Sequence, residues 1–328
     1  MNGKKSAVLL ACFATVVGIG QTGVVGEYIQ EARQQPAAVS AWGPKPDDVQ
    51  QDPLYKQILE KREQTRIQPV DAVVDRVWKA IPGYNGLEID AEETYKQAKS
   101  AGVSSPITYV YRQIPPKVKL EDLGAEPIYK GNPNKPMVGL MINVAWGNEF
   151  IVPMLDILDE EKVKATFFFD GSWLKKNPDM AKEIQKRGHE LENHAYTHPN
   201  MSQLSEYRAS MEISKTQKLL KESLGVDNTW FAPPSGDFNQ QTVRIAHGLG
   251  LKTVLWTLDT VDWRNPSPDS VVNKISNKVE AGTLILMHPT ASSSKALKGM
   301  IRAIKAKSLI PGTVGQTLSP ERVIPPSS

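Results

Sequence analysis

The chain has 328 residues, 40% hydrophobic and 23% charged, with 39 Lys and Arg against 36 Asp and Glu and a formal charge of +3. That length gives room for one large domain and a smaller one, and the ordinary proportions exclude a fibrous or wholly disordered chain. So small a net charge gives no footprint for nucleic acid, which is excluded as an expected partner.

Lys4 and Lys5 precede an apolar run over residues 7–20, the charge order of an export signal. Extension through Val24 and Val25, with no A-x-A cleavage site, also allows an uncleaved anchor. Residues 1–26 are therefore expected to be a signal peptide or membrane anchor, the sole membrane contact, and the chain is expected to be exported and to face the cell wall. The single cysteine, Cys12, lies in this run, so the exported part has no disulfide chemistry. Residues 27–52 are rich in Pro, Gln, Ala and Asp without a period and read as a linker.

Residues 53–130 read as a small α/β module. A polar helix opens at Pro53 and runs to about Arg66, residues 70–81 are apolar-periodic, and Pro82-Gly83 and Asn85-Gly86 mark turns. Asp90 can cap a helix ending near Gly102, and residues 107–114 alternate like a strand. Pro115-Pro116 and Gly131-Asn132-Pro133 separate this module from the rest.

Over residues 131–310 strands and helices alternate. Strands are predicted at 137–143, 165–169, 190–193, 229–231, 252–256 and 283–287. Helices are predicted at 150–161, 173–187, 205–224 (stopped by Gly225), 239–248, 268–280 and 294–307. The alternation predicts an α/β fold with a parallel sheet closing like a barrel, with chemistry gathered at the strands' carboxyl ends. Residues 311–328 read as an extended Pro- and Ser-rich tail.

The sharpest local signal is His194-Ala195-Tyr196-Thr197-His198-Pro199, two imidazoles four residues apart directly after a predicted strand. Such a spacing sets both rings on one face of a turn, where they can share a divalent cation such as zinc. By itself the pair reads equally well as surface or core histidines. His288 ends the predicted strand 283–287 and is delivered to the same end of the sheet, though a strand-capping histidine is the plain alternative. Asp259 and Asp262 follow the strand through Trp256, where an Asx turn would also explain them. Pro233-Pro234-Ser235-Gly236 would fix a rigid loop after another strand.

Together, and in this order, these segments resemble the polysaccharide deacetylase family, the homology domain shared by chitin, chitooligosaccharide and peptidoglycan deacetylases. The H-x-x-x-H-P motif is matched by His194, His198 and Pro199, the D-W motif by Asp262 and Trp263, L-x-H by Leu286 and His288, and P-P-x-G by Pro233, Pro234 and Gly236. The resemblance implies a distorted (β/α) barrel of about seven units that acts on N-acetylated cell-wall polysaccharide. It implies His194 and His198 as ligands of a divalent metal, by expectation zinc, His288 as the general acid and Asp262 as the residue orienting it. Trp263 and Leu286 would wall the acetyl methyl, with Pro233 and Pro234 beside the substrate. Trp78 to Gly86 and the Asn143-Val144-Ala145-Trp146-Gly147 variant look like sporulation-associated homologues.

One motif departs from the family. T-F-D-D-G falls on Met141-Ile142-Asn143-Val144-Ala145, so Asn143 replaces the base aspartate and Val144 the metal-binding one. An amide accepts no proton near neutral pH, and general-base assistance is worth roughly 10²–10⁴ in rate. The arginine that pairs with that base is Ala232 here, and without Asp at 143 a buried guanidinium would have no partner. Asp170 and Glu149 are the nearest substitutes in sequence, each also explained as a helix N-terminal residue. The expectation is weak or absent activity with retained polymer or weak metal binding. The alternatives are an active deacetylase using substitute residues and a non-catalytic scaffold.

Overall fold

The structure is a computed structural model that describes residues 46–102 and 105–323. The expected leader or anchor with Cys12, and residues 27–45 of the expected linker, lie outside the described residues. Among the described residues no helix is long and apolar enough to cross a membrane. The end of the linker is not irregular, because Pro46–Gln51 form helix α1 and Pro53–Thr65 form α2. The contacts divide the chain into two units between Glu60 and Lys61.

In the second unit β1 (Val73–Asp75) and β2 (Lys79–Ile81) form an antiparallel hairpin, and β3 (Gly86–Ile89) pairs antiparallel with β4 (Tyr111–Ile114). Helix α3 (Ala91–Ala101) begins where predicted, its first turn closed by Asp90 accepting from the Glu93 N–H at 3.1 Å.

The main sheet is parallel throughout. Its strands are β5 (Met137–Val144), β6 (Thr166–Phe169), β7 (Glu190–Asn193), β8 (Trp230–Phe231), β9 (Lys252–Thr253), β10 (Leu258–Asp259) and β11 (Leu284–Met287). Their order is β10-β11-β5-β6-β7-β8-β9, the curled, barrel-like α/β sheet that the alternation predicts. Helices α4 (Asn148–Glu160), α5 (Gly171–Lys176), α6 (Pro178–Lys186), α7 (Glu206–Leu224), α8 (Gln240–Gly248), α9 (Pro268–Lys278) and α10 (Ala291–Ala306) connect the strands.

Every residue of β5 is buried, as befits a strand covered on both faces. Val138, Leu140, Ile142 and Val144 face the outer core shared with the helices, along with Phe167 and Phe169. The other parity faces the barrel interior, where Met141, Phe168, Trp230, Val254 and Leu284 pack. This alternation decides which residues near the strand ends can reach a cleft.

Three expectations are corrected. Residues 173–187 are two helices, because Pro178 bars the preceding Asn177 from helical geometry, and Asn177 sits at φ −127° and ψ 47°. The strand predicted through Trp256 stops at Thr253, and a separate short strand, β10, follows. The tail is not extended: Ile310–Gly312 form β12, paired with the start of β5, and Val314–Leu318 form α11. Val314 and Leu318 plug the barrel interior, and Ala80, Leu120 and Ile128 from the expected separate module pack in the same cluster. The segment around Ile128 also bonds beside β9, with Ile128 N–H donating to Thr253 O at 2.9 Å and Leu255 N–H to Ile128 O at 2.7 Å. Neither 130/131 nor 310/311 is therefore a boundary in the packing.

His189, just before β7, is 6% exposed and accepts from the Ala165 N–H at 3.2 Å. Burial, then the nearby Lys164 charge, holds it down at about 4. The folded state keeps this ring neutral while the unfolded chain protonates it below about pH 6.5, so its contribution to stability falls between about pH 6.5 and 4, by about 2 kcal/mol at pH 4.5. Urea denaturation of the wild type and His189→Gln at pH 7.5 and 4.5 checks this. The wild-type advantage should shrink by that amount at the lower pH, and an unchanged difference refutes it.

Candidate functional site

The carboxyl ends of the parallel strands open onto a cleft of about 410 Å³ lined by Asn143, Trp146, His198, Ser235, Trp256, Asp259, Trp263, Leu286 and His288. The loops that build it are bent sharply. Ala195, His198, Ser235, Val261 and Asn265 all have φ between 53° and 60°, left-handed geometry that a β-branched residue such as Val261 adopts only under constraint.

The two motif histidines meet, but by a different route from the one the spacing suggests. His194 directly follows β7, and the chain then turns through left-handed Ala195 and His198 and forms no helical turn. The rings stand edge to face with centroids 5.1 Å apart. Helix α7 holds the loop: Glu212 accepts from the N–H groups of Tyr196 at 3.0 Å and Thr197 at 2.8 Å, and Thr216 Oγ1 donates to Ala195 O at 2.8 Å. Neither Glu212 nor Thr216 is marked by any motif. His194 is 1% exposed, and its Nδ1–H donates to Ala232 O at 2.7 Å, which fixes the tautomer and leaves the Nε2 lone pair as its only acceptor. Burial, then the neighbouring His198, pushes this ring down to about 3, so it is neutral at ordinary pH.

His288 is clamped by Asp262, which is 1% exposed. One carboxylate oxygen accepts from the His288 N–H at 2.6 Å and the other from its ring Nδ1–H at 2.8 Å, while Ser293 Oγ donates as well. Burial pushes the Asp262 carboxyl up, but the bonds from His288 and Ser293 outweigh it and hold the group below the usual carboxylate value. An ionised Asp262 fixes the Nδ1–H tautomer of His288 and leaves Nε2 as the ring's other proton-exchanging atom.

Asn143 is 3% exposed on the barrel-interior parity of β5, and its Oδ1 is buried without a hydrogen-bond partner among the described residues. Val144 has the opposite parity and is fully buried in the outer core, so its side chain belongs to the helix-facing layer. Ala232 is fully buried as well. Leu286, 3% exposed, and Trp263, 55% exposed, both line the cleft, with the Arg264 guanidinium 4.7 Å from the Trp263 ring. Pro233 and Pro234 are buried, and the residue of that loop which reaches the cleft is Ser235. Asp259 lines the cleft and also makes the Asx turn, accepting from the Val261 N–H at 2.8 Å.

Trp146 carried no role in the motif reading. Its ring stacks on His288 with centroids 5.3 Å apart and planes 14° from parallel, and meets His198 edge to face at 6.5 Å. The signal for it in the sequence is only an aromatic residue just past an altered motif.

Zinc in a catalytic site takes three protein ligands and keeps one position open. His194 and His198 supply two imidazoles. Among the described residues no group of three His, Cys, Asp or Glu side chains could hold a metal ion. Asp170 caps α5, accepting from Trp173 N–H at 2.8 Å and Ser172 Oγ at 2.6 Å, and burial pushes its carboxyl up. Glu149 is exposed in the first turn of α4. The residues present do not fit a three-ligand catalytic metal centre.

The sequence profile described as Polysaccharide deacetylase matches residues 130–254. The uncharacterized protein YlxY of Bacillus subtilis (strain 168) is 45% identical over 273 residues, covering 83% of this chain and 86% of YlxY. A peptidoglycan-N-acetylglucosamine deacetylase of Bacillus cereus is 30% identical over 242 residues, 68% of this chain and 88% of that protein. The crystal structure of BA3943 from Bacillus anthracis, described as a CE4 family pseudoenzyme, is 42% identical with a TM-score of 0.75, covering 83% of this chain and 97% of that one. A BA3943 mutant described as having restored enzymatic activity matches with a TM-score of 0.74 at 40% identity, over 83% of this chain and 100% of its own. With the histidine and aspartate motifs set at the strand ends of this sheet, and a relative matched over 88% of its length, this chain belongs to the polysaccharide deacetylase family.

Proposed function

We propose that this protein binds N-acetylated cell-wall glycan, peptidoglycan or a chitooligosaccharide, in the cleft and turns it over weakly or not at all. The observation that carries this reading is Asn143, a carboxamide in place of the base, 3% exposed at the floor of a cleft that still holds His198 and the His288–Asp262 pair. Val144 in the outer core and Ala232 in the barrel interior agree with it, since neither supplies a charged group to the cleft. The name of the Bacillus cereus relative supports the polymer class, and the description of BA3943 as a pseudoenzyme supports the low turnover. Export by the N-terminal segment, a wall-facing location and a role in sporulation belong to the same proposal.

Within it His288, held by Asp262, can donate or accept a proton at Nε2, and Leu286 and Trp263 form an apolar wall. The Asn143 carboxamide cannot take a proton from water. Acetate release from acetylated chitooligosaccharides or peptidoglycan tests the reading. The expected rate is at least about 10²-fold below that of the Bacillus cereus deacetylase, the lower end of general-base assistance. Comparable turnover by the unmodified chain refutes it.

A second reading, an active enzyme using a substitute carboxylate, is favoured by one observation: Asp170, 3% exposed, directly follows β6, the strand whose Phe168 pairs with Asn143. It requires measurable acetate release that Asp170→Asn abolishes.

A further inference from the structure

We propose that the cleft is a receptor for the intact acetamido group of an N-acetylated sugar, Asn143 pairing with that group and Trp146 serving as the platform for the sugar ring. This rests on the glycan-binding reading above and names the chemical feature that is recognised.

Asn143 is only 3% exposed, yet its Oδ1 meets no donor among the described residues and its side chain lines the cleft. A buried acceptor without a partner is costly, and native structures seldom keep one without a reason. An acetamido group offers one N–H and one C=O. A carboxamide offers the same two functions in reverse, so the pair can join through two hydrogen bonds, one to Oδ1 and one from Nδ2–H. The deacetylated sugar presents an ammonium group, which has donors only and leaves Nδ2–H unanswered. It also gives up hydration to enter beside Leu286, which is 3% exposed and suits a methyl group. The amide therefore answers both functions of an uncleaved substrate, although it cannot act as a base.

Trp146 supplies the second, independent observation. It is 45% exposed, although one face of its ring is held against the His288 imidazole. The next residue, Gly147, has φ 80°, and a Cβ there would lie 2.0 Å from Pro289 O. Only glycine lets the chain pass so close to the residue following His288, and that approach sets the indole over the imidazole. The exposed part of the indole then faces the cleft, where the C–H face of a pyranose can stack on it while its polar groups reach the rim.

Isothermal titration of the full chain with the tetramer of N-acetylglucosamine and with the tetramer of glucosamine tests this. The acetylated tetramer should bind at least tenfold more tightly than the free amine. Asn143→Leu, which removes both hydrogen-bonding functions at similar volume, and Trp146→Ala should each weaken its binding at least tenfold, while Trp146→Phe, which keeps a stacking ring, retains most of it. Circular dichroism melts establish that the variants are folded, and saturation transfer to the acetyl methyl in the wild type gives a readout that needs no variant. Equal binding of the two tetramers, wild-type affinity in folded Asn143→Leu or Trp146→Ala, or no transfer to the methyl overturns the inference while leaving glycan binding standing. Failure of the wild type to bind either tetramer removes the proposed function together with it.

Discussion

Asn143→Asp alone is expected to raise acetate release less than tenfold, and Asn143→Asp combined with Ala232→Arg by about 10²-fold, the lower end of what a general base contributes. The difference lies in the electrostatics of a site that is 3% exposed. A lone carboxyl there is desolvated, which raises its pKa and leaves it protonated and unable to accept at neutral pH. A guanidinium from position 232 restores the ionised form by direct pairing. Position 232 is adjacent in space to the histidines, since its carbonyl already accepts from His194 Nδ1–H at 2.7 Å. The gain stays at the lower end because Val144 lies in the outer core, so among the described residues no third metal-binding side chain joins His194 and His198. Val144→Asp in addition would place a carboxylate among Ile142, Phe169 and Trp173, so the triple variant is expected to unfold at lower temperature. Acetate release with added zinc, measured through the series, checks the order. Full activity from the single change, or none from the double, refutes it.

The histidine and aspartate motifs were legible because they name residue types that only strand ends can bring together. His194, His198, His288, Asp262, Trp263 and Leu286 lie at one end of the sheet, four of them on the cleft itself. What the spacing could not give was the reason the histidines meet. Two left-handed residues and three hydrogen bonds from α7 do the work attributed to a helical turn, and such long-range anchors leave no trace in a local pattern. Trp146 escaped for a similar reason: its partners are separated from it by 52 residues at His198 and 142 at His288, and no periodicity links them. Helix α11 is different, because its local signal lies in a segment whose Pro and Ser content predicts an extended tail. Thr313 and Gln316 form a capping box, and Val314 and Leu318 stand one turn apart as an apolar pair.

Asp262→Ala is expected to cost about 3–5 kcal/mol, the range for leaving a buried charged network without its central partner. Three donors converge on this carboxylate, the His288 N–H, the His288 Nδ1–H and Ser293 Oγ, at a position 1% exposed. Water cannot replace the lost acceptor without a cavity, and the loop after β11 would have to rearrange to satisfy its own N–H. Asp262→Asn keeps the volume and one acceptor, so its loss is expected to be about half as large. The pH dependence has a definite sign. The folded Asp262 pKa lies below its ordinary value of 3.8, so its stabilisation is present above about pH 4 and is lost as pH falls through the folded pKa. Ser293→Ala removes a single neutral donor and should cost about 1 kcal/mol. Urea denaturation at pH 7 ranks the three variants, and imidazole nitrogen spectra report whether His288 keeps its Nδ1–H tautomer. If Asp262→Ala unfolds at the wild-type urea midpoint, the clamp contributes orientation without stability, and His288 is held by the strand alone.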